Sequence, residues 1–425
     1  MYKRQGLLRF WVIEGRISEI HVHGLDGLLE SYVVDRLRGP PGEALNLNVL
    51  QARLQRLSDD LLFAHVNSQL QPGEDPAEVI LDVDVKRARP YSASLALNNY
   101  RPPAIGEKGY DLVGQVRDLT GIGDVVDANV TGPVEFSGGV GYALSWQVPI
   151  DRYDTSLSLA TSKNIAVVSQ EPLSPLDARS TTDRQELKLT QPVWISGRQQ
   201  LNLAASIALE KETVSLPGSS EEDTRSVTAR LIPDYSLRTE QQYLDVKFTL
   251  LHAYLLDYPT GRVSYSLPDQ QYFVWTGQIY NLWEFAQAPF ELESRAILQR
   301  TDAPISDLHE VAIGGVYSVR GFREDEFLAS NAQNATVDFR WLALRTASAG
   351  RPAVTVGTFF DWAAGHDVGE PNETFSSCGL TFRLKWPHVQ ADLAYGLPLV
   401  HPGFVSAEHG SWQDHGIHAQ ILMSL

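Results

Sequence analysis

From about residue 91 onward, apolar and polar side chains exchange places residue by residue, in segment after segment divided by Gly, Pro, Asn, Asp and Ser. Leu244, Val246, Phe248 and Leu250 stand against Tyr243, Asp245, Lys247 and Thr249. Cys378, Leu380, Phe382, Leu384 and Trp386 stand against Gly379, Thr381, Arg383 and Lys385. Val389, Ala391, Leu393 and Tyr395 face away from His388, Gln390 and Asp392, and the chain ends on Ile417, Ala419, Ile421, Met423 and Leu425 against His418, Gln420 and Ser424. A period of two is the mark of a strand with one apolar face, and the pattern predicts about sixteen of them with almost no helix between.

The first ninety residues read differently. Ile17, Ile20 and Val22 predict a strand, and Leu28 to Leu37 a short helix ended by Gly39-Pro40-Pro41-Gly42. Asn46 is placed to cap a second helix carrying Leu47, Leu50, Leu54 and Leu57. Two strands follow, 63–70 and 79–85, joined at Pro72-Gly73. In the second, Val79, Leu81, Val83 and Val85 share a face opposite Asp82 and Asp84. The order β-α-α-β-β describes a small α+β domain at 15–89, and residues 1–14 carry what reads as the last strand of a preceding unit, Leu7 to Ile13.

Composition narrows the classes. The chain has 425 residues, with 35 Lys and Arg against 52 Asp and Glu, a net charge of −17. Phosphate affinity rests on Lys and Arg, so no nucleic-acid partner is expected. A single cysteine rules out an intrachain disulfide and a Cys-based zinc site. No apolar run approaches the roughly 18 residues of a transmembrane helix, which leaves a membrane barrel open because barrel strands are only half apolar. The basic start, Met1 to Phe10, has no apolar stretch of signal-peptide type, so either the protein is cytosolic or the chain is a mature or truncated form.

Period-two strands fit either a soluble sandwich, with its polar face in water, or a membrane barrel, with its apolar face in lipid and its polar face in a lumen. Length favours the barrel: many segments run to about 9–12 residues, enough to cross a bilayer at a tilt, where sandwich strands centre nearer 5–6. Tyr100, Trp194, Trp283, Trp386 and Tyr395 near segment ends suit interfacial girdles. Cys378 shares the outward face with Leu380 and reads as a small hydrophobe.

A connection at 302–333 lacks clear periodicity and is too long for a passive turn. It carries Gly314-Gly315-Val316-Tyr317-Ser318 followed by Val319-Arg320-Gly321-Phe322. That tetrad, on a long loop before a late strand, resembles the signature loop of the POTRA-barrel proteins, which include BamA and the two-partner secretion transporters (the TpsB group, the FhaC, ShlB and HecB haemolysin secretion/activation proteins). The 15–89 unit resembles a POTRA domain. Gly121-Ile122-Gly123-Asp124 resembles the Gly-x-Gly-Asp element that opens an early TpsB barrel strand, and Phe359-Phe360-Asp361 resembles the start of the Phe-x-Asp-x-Gly strand motif. The motif's final glycine falls on Ala363, with Gly365 two residues on.

The resemblance implies a barrel of about sixteen antiparallel strands over 90–425 with the loop folded inward. It further implies an Arg320–Asp361 ion pair anchoring that loop, and alternation independently sends Asp361 to the lumen. Asp338, Arg340, Glu291, Glu293, Arg295, Arg383 and Lys385 read as hydrated lumen wall. By the same resemblance the protein is a monomer in the outer-membrane lipid of a Gram-negative bacterium, with its POTRA domain in the periplasm. It would export a TpsA-type exoprotein of haemolysin or adhesin type. The unfolded substrate would be recognised on the 63–85 hairpin edge and the 47–57 helix. The family's plug helix and most of a first POTRA would precede the chain. A BamA-like insertase and a passive porin are the alternatives. No cofactor and no enzymatic activity are expected: there is no Gly-x-Ser-x-Gly elbow, no His-Glu-x-x-His helix and no Walker loop. His401, His409, His415 and His418 match no metal-ligand spacing.

Overall fold

A computed structural model describes residues 14–40, 43–135, 138–168, 178–215, 222–257, 268–344, 352–404 and 410–425. The strand expected at Leu7 to Ile13 lies outside the described residues. Two compact units result. The first gathers the chain up to Pro90 with Arg117–Asp124 and Asp151–Tyr153; the second holds Tyr91–Val116, Val125–Ile150 and Asp154–Leu425.

In the first unit, β1 (Arg16–His23), α1 (Glu30–Leu37), α2 (Leu47–Ser58), β2 (Phe63–Pro72) and β3 (Glu78–Arg87) follow in the expected order. The sheet order is β1-β3-β2, with β1 parallel and β2 antiparallel to β3. Alternation in β3 buries Leu81, Val83 and Val85, and they pack on Val33 and Leu37 of α1 and Leu50 and Leu57 of α2. Each such side chain contributes about 1.5–3 kcal/mol on burial. The helix α2 starts where it does because the Asn46 side chain accepts from the N–H groups of Asn48 (3.0 Å) and Val49 (3.4 Å), two of the donors a helix start leaves unpaired.

The second unit is a closed barrel of sixteen strands. Its strands are β4 (Tyr91–Asn98), β5 (Gly109–Arg117), β6 (Val125–Pro133), β7 (Gly141–Pro149), β8 (Ser156–Val167), β9 (Arg179–Ser196), β10 (Gln199–Ser215), β11 (Glu222–Arg238), β12 (Gln242–Asp257), β13 (Gln271–Glu284) and β14 (Phe290–Arg300). A short hairpin, β15 (Val311–Ile313) with β16 (Phe327–Ala329), interrupts the barrel order. The wall resumes with β17 (Asn331–Leu344), β18 (Ala353–His366), β19 (Glu373–Lys385), β20 (Val389–Val400) and β21 (Ile417–Ser424), which pairs antiparallel with β4 and closes the ring.

Alternation now acquires a direction. In β18, Val356 and Phe360 are exposed while Thr355, Gly357, Phe359 and Asp361 are buried. Leu380, Phe382, Leu393, Leu397 and Ile421 are also exposed. The outside is apolar and the inside polar, the reverse of a soluble fold and the arrangement lipid demands, and closure leaves no edge strand unpaired. Trp194, Trp283 and Trp386 are exposed at strand ends as a girdle requires; Tyr395 is exposed but lies in the middle of β20, and Tyr100 is not a girdle residue. It packs on Tyr317 and His418, with ring centroids 6.1 and 6.5 Å away, because β4 ends at Asn98 and the chain turns before Tyr100.

The two ends of the barrel differ. One end has tight turns such as 197–198, 239–241 and 386–388; the 301–330 connection leaves from the other. Its strand partner starts earlier than alternation shows, at Asn331.

Candidate functional site: an inward loop clamped by Arg320

The loop at 301–330 is a hairpin. β15 and β16 pair antiparallel from Val311↔Ala329 to Ile313↔Phe327, and the tip comprises 314–326. Gly314 (φ 113°) and Gly315 (φ 88°) open the tip in conformations that favour glycine. The Ser318 hydroxyl accepts from Gly314 N–H at 2.7 Å and donates back to its carbonyl at 3.0 Å. Ile313, Val319, Phe322 and Ala329 of the loop form a core with Ala332, Ala363 and Phe375 of the wall. Ala363 is fully buried there, and a Cβ on Gly365 would come within 2.8 Å of both Ala329 and Ile313. The glycine shifted from the motif position is thus a place where the hairpin presses close on β18.

Arg320 makes the central contact. Its backbone N–H and Nε both donate to Asp361 Oδ2, at 2.9 and 2.8 Å, and Nη2 donates to Asp361 Oδ1 at 2.7 Å. Nη1 and Nη2 also donate to the two oxygens of Asp338, at 2.9 and 3.1 Å. The guanidinium lies 3.6 Å above the Phe359 ring. Arg320 is 4% exposed, and both aspartates are fully buried. One planar cation serves two carboxylates and a ring face, a geometry an ammonium does not reproduce. Burial opposes its charge, but the hydrogen bonds and charges of Asp361 and then Asp338 outweigh it, raising its pKa further.

The residues after Arg320 dock farther around the wall, on β20, β21 and the connection between them. Gly321 (φ 97°) lies so close to Gly396 of β20 that a Cβ on either would come within 3 Å of the other segment's backbone. Gly321 N–H donates to His418 Nε2 at 3.3 Å, which puts the ring proton on Nδ1, 3.6 Å from Glu324 Oε1. Glu324 N–H donates to Gln413 Oε1 at 2.8 Å, Arg323 Nε to Asp414 Oδ1 at 2.5 Å, and Val316 N–H to Glu324 Oε1 at 2.7 Å. Burial pushes the Glu324 carboxyl up to about 8. Burial, followed by the nearby charges of Asp367 and Asp307, takes Glu310 to about 8 as well.

Of the residues singled out in the sequence, Val319, Arg320, Gly321, Phe322, Phe359 and Asp361 come together at this loop. Gly121, Gly123 and Asp124 lie elsewhere, in the first unit. There Gly121 (φ 85°) offers its carbonyl to Leu29 N–H at 2.7 Å, and Gly123 (φ 81°) lies flat on the Tyr32 ring. The fully buried Asp124 accepts from Thr120 N–H and its hydroxyl at 2.9 and 2.8 Å. This element orders a turn rather than joining the clamp.

Alternation gives Asp338 only as one wall charge among several; the structure makes it the second carboxylate partner of Arg320. His418, Gln413, Gly396 and a contact of His309 with Glu210 carried no sequence signal, because their partners are 75 to 99 residues away. Among the described residues, no group of three or more His, Cys, Asp or Glu could hold a metal ion.

Residues 78–373 match the profile of the haemolysin secretion/activation proteins ShlB/FhaC/HecB. The outer membrane transporter CdiB-2 of Burkholderia pseudomallei (strain 1026b) is 22% identical over 316 residues, 68% of this chain and 51% of that protein. The chain thus spans about half the length of that curated relative. In structure it is similar to CdiB from Escherichia coli (TM-score 0.77, 17% identity, 97% of this chain, 77% of that one). It is also similar to CdiB from Acinetobacter baumannii (0.71, 15%, 97% and 74%) and to BamA from Haemophilus ducreyi lacking POTRA domains 1–3 (0.64, 12%, 97% and 85%). The closed barrel, the inward loop with its arginine and the profile over residues 78–373 agree: the chain belongs to the ShlB/FhaC/HecB family of two-partner secretion transporters.

Proposed function

We propose that the protein is an outer-membrane transporter of a Gram-negative bacterium that exports one large partner exoprotein, of haemolysin or adhesin type, through its barrel. The first unit, as a periplasmic POTRA domain, receives the unfolded substrate. The sheet order leaves β2 at an edge, and most of its side chains are exposed. An extended chain is recognised at such an edge by its backbone, with little demand on its sequence. The α2 helix beside it supplies apolar contact through Leu47 and Val49, both exposed.

The observation that carries this reading is the Arg320 clamp inside a barrel with an apolar exterior. A loop tied to three parts of the wall obstructs free diffusion, which disfavours a passive porin, and a hydrogen-bonded tie is reversible. Export then requires the loop to leave its dock, with Arg320, Asp338 and Asp361 setting the closed state and POTRA-bound chain entering as it opens. In keeping with the family, the protein acts as a monomer.

The test is secretion of a large exoprotein of haemolysin or adhesin type from a Gram-negative host that carries this transporter. Wild type is expected to deliver that exoprotein to the medium, and Arg320→Ala to lose most of the delivery with the barrel still folded in the outer membrane. Delivery that is unchanged without the transporter would refute the proposal.

A further inference from the structure

The loop has a second attachment, on a different part of the wall and of different chemistry. Before β15, residues Asp307–His309 form a single 3-10 turn whose start is capped by Ser306 Oγ. His309 Nε2 lies 2.9 Å from Glu210 Oε2 on β10, and Nδ1 lies 2.6 Å from Tyr272 Oη on β13. Both side chains of the His309–Glu210 pair are almost wholly buried, at 6% and 4% exposed. One ring meets both partners, Glu210 at Nε2 and the tyrosine hydroxyl at Nδ1. Tyr272 Oη in turn accepts from Ser306 N–H at 3.3 Å, and Gln299 Nε2 donates to the His309 carbonyl at 2.8 Å. Going around the barrel from β10 to β18, the loop is therefore tied at both limbs: His309 on β10 and β13, Arg320 on β17 and β18.

The two ties differ in what they leave behind. Releasing Arg320 strands two fully buried carboxylates without a cation. Releasing His309 does not strand Glu210, because Arg230 Nη2 and Arg184 Nη1 stay 3.0 and 3.2 Å from its Oε1. An uncompensated buried charge is the dominant cost of breaking such contacts, so the histidine tie is the cheaper to open. There is room for it to open: a cavity of about 230 Å³, bordered by His309, Val311, Arg230, Thr249 and Thr276, lies behind the turn.

We propose that His309, Tyr272 and Glu210 form a positioning latch that releases before the Arg320 clamp, so that the limb at 302–312 swings free while the tip at 314–326 stays docked. This deepens the transporter reading and rests on it for its meaning, since an early step of opening presupposes a conduit.

The test is hydrogen–deuterium exchange of the full chain folded in detergent, read separately for 302–312 and 314–326, with planar-bilayer recordings on the same samples. His309→Ala is expected to speed exchange in 302–312 by about tenfold or more and to leave 314–326 unchanged. Glu210→Gln, which removes the charge and keeps the shape, is expected to do the same more weakly. Arg320→Ala is expected to speed both. Heat-modifiable migration on a semi-native gel establishes that each barrel is folded. Equal protection of both segments in His309→Ala and wild type, or loss of protection in both together, would overturn the latch. Channels in no variant, Arg320→Ala included, would sink the conduit reading, while the exchange data still decide whether the two limbs release separately.

Discussion

Replacing Arg320 with alanine should damage loop docking more than neutralising either of its carboxylates, although all three residues belong to one cluster. The reason is charge count. The docked site holds one cation and two anions, all almost completely buried. Of the five hydrogen bonds Arg320 makes, Arg320→Ala removes the four from its side chain, keeps the backbone bond to Asp361, and leaves two carboxylates out of water without a cation. Breaking a buried pair from one side costs about 3–5 kcal/mol. At 1.4 kcal/mol per factor of ten, the ratio of docked to released loop should fall by roughly two to four orders of magnitude. Asp361→Asn leaves Arg320 paired with Asp338, a neutral couple, and the asparagine oxygen still accepts; the cost should be near the ~1–3 kcal/mol of weakened charged hydrogen bonds. Asp338→Asn should cost less again, because Asp361 keeps the larger share of the bonds. Arg320→Lys preserves charge but not the fork across two carboxylates, and should fall between Arg320→Ala and wild type. Limited proteolysis within 314–326 of detergent-folded protein reads the released fraction directly. The expected order of cleavage is Arg320→Ala first, then Asp361→Asn, then Asp338→Asn. Cleavage of Asp361→Asn equal to or faster than that of Arg320→Ala would refute the charge-count reasoning.

Gly396→Ala should push the Arg320–Gly321 backbone away from β20, since the new Cβ would lie 2.6 Å from it; a rise in cleavage of 314–326 without loss of barrel folding checks this. Docking should also weaken with rising pH through Glu324. Its docked carboxyl titrates near 8 by burial, against an ordinary value of about 4.3, so the docked loop holds a proton the released loop lacks throughout that window. Docking is therefore strongest at the acid end, falls as pH rises, and levels above about 8. Exchange rates of 314–326 measured from pH 5 to 9, with base-catalysed chemistry divided out, should show that trend in wild type and a clearly weaker one in Glu324→Gln, where buried Glu310 and Asp325 still contribute. In the first unit, Asn46→Ala should destabilise by about 1 kcal/mol through loss of the α2 cap, visible as faster exchange in the first turn of that helix.

Much of this was legible because a barrel strand repeats every two residues and half its side chains must be apolar. That pattern placed Asp361 inward, and the Val319-Arg320-Gly321-Phe322 tetrad named its partner. Asp338 lay on the same inward face, yet alternation treats it no differently from Glu291, Glu293 or Arg295. What singles it out is register: Asp338 sits opposite Phe359, and Thr336 opposite Asp361, so the two carboxylates flank one guanidinium. The hairpin inside the loop was invisible because strands of three residues are too short to show a period. Tyr100 was misplaced for a related reason, since position near a strand end does not say whether a ring turns out to lipid or in to the lumen. His309 and Glu210 are 99 residues apart, a separation across which only the closed barrel makes them neighbours. Gly365, by contrast, could be flagged from its offset against the motif, and the close approach of Ile313 and Ala329 explains why a glycine is needed there.

The most direct test of the central claim, a lumen closed by an arginine-clamped loop, is single-channel conductance of the refolded chain in planar bilayers, wild type beside Arg320→Ala and Asp361→Ala. Wild type should give discrete channels that are mostly closed, and both variants should show larger or longer openings, the arginine variant most. Identical traces from all three would contradict the clamp, and a protein that stays soluble without detergent and forms no channels would contradict the membrane barrel itself.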